Sequence, residues 1–151
     1  MGADTATKNV LMSGGSRGIG LAIALRLARD GANVTFLAKT ADPHPKLPGT
    51  VHAAVAEVEQ AGGRGLAVVG DVRNDADIER AVVAAIDAFG GIDILVNNAS
   101  AIDLSKTAEL SMKRYDLMQD VNCRGTFALS RATLPYLRRS ANPHILTLRR
   151  R

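Results

Sequence analysis

A glycine-rich stretch between an apolar run and a helical pattern constrains this chain most strongly. Val10, Leu11 and Met12 run directly into the sequence SGGSRGIG at positions 13–20. This pattern predicts a short buried strand that ends in a tight turn and continues as a helix. Apolar residues between positions 18 and 30 cover most of the helix circumference, so we expect that helix to be largely buried and to end at Gly31.

Strand and helix patterns continue to alternate along the rest of the chain. Positions 41–50 hold three of the five prolines and predict a loop. Further helices are predicted at 51–61, from Asn74 to Phe89, and from Ser111 to about Arg138 with a kink at Pro135. Further strands are predicted at 33–38, 66–70, 92–96 and 144–148. The alternation predicts an α/β fold in one domain spanning residues 1–151, a doubly wound parallel sheet.

Composition limits where such a domain works and what it binds. The single Cys123 excludes an internal disulfide and a metal site built from several cysteines, which favours a reducing, cytoplasmic location. We expect this thiol to be buried and inert. No apolar run approaches the length of a membrane span, and residues 1–9 do not resemble a signal peptide, so we expect no membrane association.

The positive charge of the chain is concentrated at its C-terminal end. The net charge is +4, from 19 basic and 15 acidic residues, and Arg149, Arg150 and Arg151 supply three of these charges. Only 3% of the residues are aromatic, so the chain lacks a stacking platform for bases. We therefore expect a solvated basic tail and no binding of nucleic acid.

The glycine-rich turn has the features of a site for a pyrophosphate. Gly14 permits the sharp turn, Gly18 lets the backbone approach the anion, and Gly20 allows close packing. The N-terminus of the helix offers free N–H groups to the same anion. The candidate cofactor residues here are Gly14, Ser16, Arg17, Gly18, Ile19 and Gly20. A P-loop NTPase is excluded at this turn, because no Lys-Ser or Lys-Thr follows Gly20.

The end of the second strand indicates which dinucleotide is preferred. An acidic residue there would bind a ribose 2′-hydroxyl and repel a 2′-phosphate. This chain has Lys39 and Thr40 instead, and Arg17 lies in the glycine turn. Two cations favour NADP(H) over NAD(H), and Lys39 argues against a methyltransferase. A Lys39 that is merely solvated is the alternative.

Polar and small residues also follow the third and fourth strands. Asp71 is a candidate acceptor for an adenine amino group, with Val72 beside it. The sequence NNAS at 97–100 places Asn98, Ala99 and Ser100 where small side chains would face a cleft. Either group could simply cap a turn. Together with the glycine turn, however, they lie at the carboxyl edge of the sheet, where open α/β folds bind ligands.

On these motifs the sequence resembles the short-chain dehydrogenase/reductase family over nearly its whole length, and the loop at 38–50 resembles one branch of it. The family's glycine motif falls on Gly14, Gly18 and Gly20, with Ser13 in place of Thr. Its adenine-binding Asp falls on Asp71, its Asn-Asn-Ala-Gly motif on 97–100 with Ser100 in place of Gly, and its active-site Asn on Asn122. The resemblance implies a Rossmann fold with strand order 3-2-1-4-5. It also implies hydride transfer between NADP(H) and a small carbonyl or alcohol substrate.

The sequence departs from the family in its catalytic residues. Family members use a Tyr-x-x-x-Lys motif as general acid and base, but Gln119 follows Tyr115 and Ser140 follows Tyr136 at the fourth position. Members have about 250 residues, which implies a truncated chain holding five of seven strands and only Asn122 of the catalytic set.

Two expectations follow from this departure. The chain should bind cofactor without turnover, and a non-catalytic dinucleotide-binding or interaction module is the alternative. Strand five should be an exposed edge, with Ile145, Leu146 and Leu148 accessible. Such an edge favours aggregation or a homo-oligomer.

Overall fold

The computed structural model describes residues 8–148, which form one parallel sheet with helices on both faces. The predicted features at residues 1–7 and in the Arg149–Arg151 tail lie outside the described residues. The five strands are β1 (Asn9–Ser13), β2 (Asn33–Ala38), β3 (Arg64–Val69), β4 (Ile94–Asn97) and β5 (His144–Thr147). The helices are α1 (Gly18–Arg29), α2 (Val51–Gln60), α3 (Asp75–Phe89), α4 (Met112–Gln119) and α5 (Thr126–Leu137). A π-helical segment, Asp120–Gly125, joins α4 to α5.

The strand order is β3-β2-β1-β4-β5, which confirms the predicted doubly wound sheet. At the centre, Leu11 of β1 lies in register between Thr35 of β2 and Leu95 of β4. The chain moves outward from β1 to β3 and then returns to the other side of β1 as β4. Carboxyl ends of β1 and β4 therefore lie at the point where the winding direction reverses, which is where this architecture opens a crevice.

Alternate residues of the central strands pack into two separate apolar cores, one on each face of the sheet. Met12 and Phe36 face one side with Ala24, Ala28 and Val58 of the helices α1 and α2. Leu11 and Leu37 face the other side, where they pack with residues of α3 and α5, including Ile78, Ala81, Val82 and Leu129. Burying each of the larger side chains contributes roughly 1.5–3 kcal/mol. Both faces being covered explains why the strands are continuous apolar runs.

Helix α1 is less buried than its composition suggests. Only Gly20, Ala24 and Ala28 are buried in it, and the Ile19 side chain is 60% exposed. The expectation of a largely buried helix is therefore wrong. These three small residues, spaced four apart, form one stripe that lets the helix backbone approach the sheet closely, and the larger residues beside the stripe point partly to solvent.

The long helix predicted from Ser111 to Arg138 has the right extent but not a uniform geometry. It is helical from Met112 to Leu137, with Pro135 inside α5, and it widens to π-helical geometry at Asp120–Gly125. Cys123 lies in this π segment and is exposed, so the expectation of a buried thiol is wrong. Short π-helical turns inside longer helices are frequent at functional sites.

Strand boundaries differ from the predicted ones by up to two residues. β3 begins at Arg64, and β4 begins at Ile94, which pairs with Val10. Ile92 is buried but precedes the paired residues, and the next residue, Asp93, donates its backbone N–H to Asn9 O. Within residues 8–148, no helix has the length and apolar character that crossing a bilayer requires.

Candidate functional site

A cleft of about 250 Å³ opens at the carboxyl edge of the sheet, above the ends of β1 to β4. Most of the predicted cofactor residues line it: Gly14, Ser16, Arg17, Lys39, Asp71, Val72, Asn98, Ala99 and Ser100. The other three, Gly18, Ile19 and Gly20, begin helix α1 and do not line the cleft. Among residues 8–148, no group of three or more His, Cys, Asp or Glu side chains is arranged to hold a metal ion.

The glycine turn has the three local geometries that its motif predicts. Gly14 has a φ of +71° and donates its N–H to Leu37 O at 2.8 Å, which makes the sharp turn. A Cβ on Gly20 would lie 2.7 Å from Gly15 Cα, so only glycine permits this packing. A Cβ on Gly18, by contrast, would meet nothing within 4 Å. The space above Gly18 is therefore open to a ligand, beside an N-terminus of α1 that no side chain caps.

Ser13 and Asn98 tie the ends of β1 and β4 together beneath this turn. The Ser13 hydroxyl accepts the N–H groups of Asn98 at 3.2 Å and Ala99 at 3.1 Å. The Asn98 side-chain amide donates to Ser13 O at 3.2 Å. Asn98 is only 6% exposed, because its amide is wedged under Gly14 and Gly20. Its role in the geometry is to support the glycine turn.

Asn97, unlike Asn98, does not line the cleft. It is buried, and its amide donates to Ser130 Oγ at 3.1 Å and Thr147 Oγ1 at 3.3 Å. Side chains alternate across a strand, so Asn97 points toward α5 and β5. Of the predicted run at 97–100, Asn98, Ala99 and Ser100 line the cleft, and Ala99 and Ser100 are small and half-buried.

Two cations flank the end of β2. Arg17 donates to Thr40 Oγ1 and to Pro48 O, both at 3.4 Å, and so connects the glycine turn to the loop at 41–50. The Lys39 side chain is 61% exposed, and its Nζ lies 3.7 Å from Asp71 Oδ2. Two positively charged side chains therefore lie close to the end of β2.

The carboxylate of Asp71 is hydrogen-bonded to Arg73, two residues further along the chain. Arg73 Nη2 lies 2.7 Å from Asp71 Oδ2, and the Arg73 backbone N–H donates to Oδ1 at 2.9 Å. The hydrogen bonds from Arg73, together with the charge of Lys39, lower the pKa of Asp71 below its ordinary value. Asp77 Oδ2 accepts the backbone N–H of Asp71 at 2.9 Å, and this bond is the largest cause of the lowered pKa of Asp77.

Arg73 and Asp77 were not among the residues that the sequence singled out. The spacing Asp-x-Arg at 71–73 is a signal that could have found Arg73, because an Asp after a strand commonly accepts the backbone N–H two residues on, as Asp71 does here. Asp77 lies in the first turn of α3, where acidic residues are favoured electrostatically. Neither position shows from the sequence alone that the two residues meet at Asp71.

Asn122 lies in the π segment, and both the oxygen and the nitrogen of its side-chain amide hydrogen-bond to one residue, Ala101. Its Oδ1 accepts Ala101 N at 2.9 Å, and its Nδ2 donates to Ala101 O at 2.8 Å. Asn122 also lines a second cavity of about 370 Å³, together with Ser100, Thr126 and Thr147. The side chain thus positions the loop after β4, and both polar ends of its amide are already hydrogen-bonded.

The cleft, the glycine turn and the sheet order together define a dinucleotide-binding α/β protein, and the comparison with family profiles agrees. The family described as short chain dehydrogenase matches residues 8–148. The chain belongs to this family, whose members are oxidoreductases that bind a nicotinamide dinucleotide. The resemblance inferred from the motifs is therefore confirmed.

Particular relatives are similar over nearly all of the chain. Hydroxysteroid dehydrogenase-like protein 2 of Danio rerio is 57% identical over 139 residues, which are 92% of this chain and 34% of that protein. The chain thus spans about a third of the length of the curated relatives it matches.

Solved structures agree with this assignment. A short chain dehydrogenase from Mycobacterium thermoresistibile superposes with a TM-score of 0.93 at 53% identity, covering 95% of this chain and 51% of the other. An NADH-dependent reductase, A1-R′, complexed with NAD, superposes with a TM-score of 0.82 at 30% identity, covering 95% of this chain and 60% of the other.

Proposed function

We propose that residues 1–151 form one dinucleotide-binding unit that takes NADP(H) in preference to NAD(H). The observation that carries this proposal is the pair of cations at the end of β2. Lys39 and Thr40 stand at the end of β2, where an acidic residue would select NAD(H), and the Thr40 hydroxyl is in contact with Arg17. A 2′-phosphate placed there would meet charge-assisted donors in place of a carboxylate.

The residues of the glycine turn fit the rest of the dinucleotide. The open space above Gly18 suits close approach of a pyrophosphate, and the uncapped N-terminus of α1 offers backbone N–H groups with the positive end of the helix dipole. Ser16 and Ile19 belong to the same turn. Asp71, Val72, Ala99 and Ser100 would enclose the adenine and nicotinamide ends of the cleft.

In the complete family fold we propose hydride transfer between NADP(H) and a small carbonyl or alcohol substrate. When bound, the nicotinamide supplies or accepts the hydride. The residues of this chain would bind and orient the cofactor, and Asn122 would hold the cleft wall at Ala101 in place. A proton donor for the carbonyl oxygen is also needed, and neither Tyr115 nor Tyr136 is followed by Lys at the fourth position. We therefore propose that this chain alone binds cofactor without turnover.

Fluorescence titration of the chain with NADPH and with NADH tests the cofactor proposal. Two phosphate contacts should make NADPH bind at least about tenfold more tightly, and Lys39→Asp should reverse the order of affinity. Equal affinity for the two cofactors, or tighter binding of NADH, would contradict the preference. The same preparation is then assayed for reduction of a panel of carbonyl compounds. Any turnover would refute the proposal of binding alone, and the absence of binding of either cofactor would favour an interaction module.

We also propose that the chain self-associates through the edge at β5. Within residues 8–148, β5 pairs only with β4, and Ile145 and Leu146 are 47% and 44% exposed. Leu148 is half-buried, so it adds less to this surface than expected. Unpaired strand edges with apolar side chains favour pairing with a second chain. Light scattering after size exclusion should show a dimer or larger species, and a monodisperse monomer would refute the proposal.

A cytoplasmic location is proposed from the cysteine content. Cys123 is the only cysteine in the chain and is exposed as a free thiol, which fits a reducing compartment. Fractionation of cells that express the chain checks this location, and recovery outside the cytoplasmic fraction would contradict it.

A further inference from the structure

Arg73 makes more contacts with the Asp71 carboxylate than any other described residue, although Arg73 itself does not line the cleft. Its Nη2 lies 2.7 Å from Oδ2, and its Nε lies 3.0 Å from Oδ2 and 3.1 Å from Oδ1. The Arg73 backbone N–H adds a bond of 2.9 Å to Oδ1. Both carboxylate oxygens are thus engaged by one neighbouring residue.

The same carboxylate has a weaker contact with Lys39. The Lys39 ammonium lies 3.7 Å from Asp71 Oδ2, a full ångström farther than the Arg73 guanidinium. Without Arg73, the charge of Asp71 would be compensated by Lys39 alone. The ammonium would then be drawn toward β3, and an anionic group at the end of β2 would meet an uncompensated carboxylate. With Arg73 in place, Asp71 is neutralised and Lys39 keeps most of its charge for a ligand.

We infer that Arg73 is a positioning residue that sets the preference for NADPH over NADH, by neutralising Asp71 and leaving Lys39 free for the 2′-phosphate. This inference rests on the proposed function, because it concerns the same cleft. NADPH and NADH differ only in that phosphate. If Arg73 acts through the charge that the 2′-phosphate meets at the end of β2, replacing it changes the ratio of the two affinities. If it merely supports the fold, replacing it weakens the binding of both cofactors equally.

The test measures the dissociation constants of NADPH and NADH by fluorescence for the full chain and its variants. Arg73→Gln should raise the Kd for NADPH about fivefold, the ceiling for a partly exposed ion pair, and that for NADH by less than about twofold. Arg73→Lys keeps the positive charge and should therefore retain most of the ratio of the NADH Kd to the NADPH Kd. In 0.5 M salt the difference between Arg73→Gln and the unmodified chain should shrink.

Two further variants separate this mechanism from simpler ones. In an Asp71→Asn background there is no carboxylate to neutralise, so adding Arg73→Gln should change the NADPH Kd by less than about twofold. Arg26→Gln is the matched control. It breaks an ion pair of the same length, 2.7 Å to Asp30, in the last turn of α1 and away from the cleft, and should change neither affinity.

The outcomes distinguish this inference from the proposed function. If the unmodified chain prefers NADPH and Arg73→Gln leaves the ratio unchanged, or weakens both cofactors equally, the inference is overturned alone. A full fivefold effect in the Asp71→Asn background also overturns it. If the unmodified chain prefers NADH but Arg73→Gln still weakens NADPH binding more than NADH binding, the proposed cofactor preference fails, whereas the inferred effect of Arg73 on the relative affinities holds. No binding of either cofactor overturns both.

Discussion

Thr35 in β2 provides a sharp test of how the sheet is stabilised. Its side chain is 0% exposed, and its hydroxyl has no hydrogen-bond partner within residues 8–148. Leaving such a group unsatisfied costs about 1–3 kcal/mol. Thr35→Val keeps the β-branched shape that suits a strand and replaces the hydroxyl with a methyl group. We therefore expect the variant to gain about 1–2 kcal/mol in free energy of unfolding, which corresponds to a rise in Tm of about 2–8 °C.

Thr133 in α5 is the matched control for this substitution. It is equally buried, but its hydroxyl donates to Leu129 O at 3.0 Å and to Ser130 O at 3.1 Å. Thr133→Val should therefore lose about 0.5–1.5 kcal/mol. Urea denaturation of both variants and of the unmodified chain shows directly whether each substitution raises or lowers the free energy of unfolding. A loss of stability in Thr35→Val similar to that in Thr133→Val would show that the Thr35 hydroxyl is bonded in solution, and would refute the reasoning.

Two further predictions concern the glycine turn and the stability of the chain at acidic pH. Gly20→Ala should destabilise the chain by about 1–3 kcal/mol despite the better helix propensity of alanine, because the new Cβ would lie 2.7 Å from Gly15 Cα; a urea midpoint equal to that of the unmodified chain would contradict this. Hydrogen bonds from Ser105 and Arg114 lower the pKa of Asp103 from 3.8 to about 2. Its contribution to stability is therefore complete above pH 4 and is lost as the pH falls toward 2. In Asp103→Asn the free energy of unfolding should therefore depend less on pH between 4 and 2. Urea unfolding at several pH values measures this, and an unchanged pH dependence would refute the prediction.

The glycine turn shows how much of the site a local pattern can predict. Gly14 and Gly20 are required by a turn and by a close approach within one strand-turn-helix unit, and both requirements are visible in the spacing of the motif. The positions of Lys39 and Asp71 at one edge were also predictable, because parallel strands bring their carboxyl ends together. Such inferences need only the period of the apolar residues and the position of the breaks between elements.

The polar partners within the site were not predictable in this way. Asn98 lines the cleft, but its amide also lies under the turn and bonds to Ser13, which is 85 positions away in the chain. Asn122 lies in the π segment and meets Ala101, which is 21 positions earlier in the chain, and no pattern in the residues at 120–125 signals the π geometry. In each case the partner is chosen by a contact between distant elements, which local propensity does not encode.

The sequence by itself determined the α/β class, the glycine turn and the edge of the sheet where the cleft opens, because these depend on spacing and on the conformations that individual residues allow. Only the tertiary structure decided that Arg73 holds Asp71 and leaves Lys39 to a longer contact. It also decided which apolar residues of α1 meet the sheet and which, such as Ile19, remain exposed. The physical reason is that burial and ion pairing depend on distances between elements, and those distances exist only once the sheet and its helices have packed.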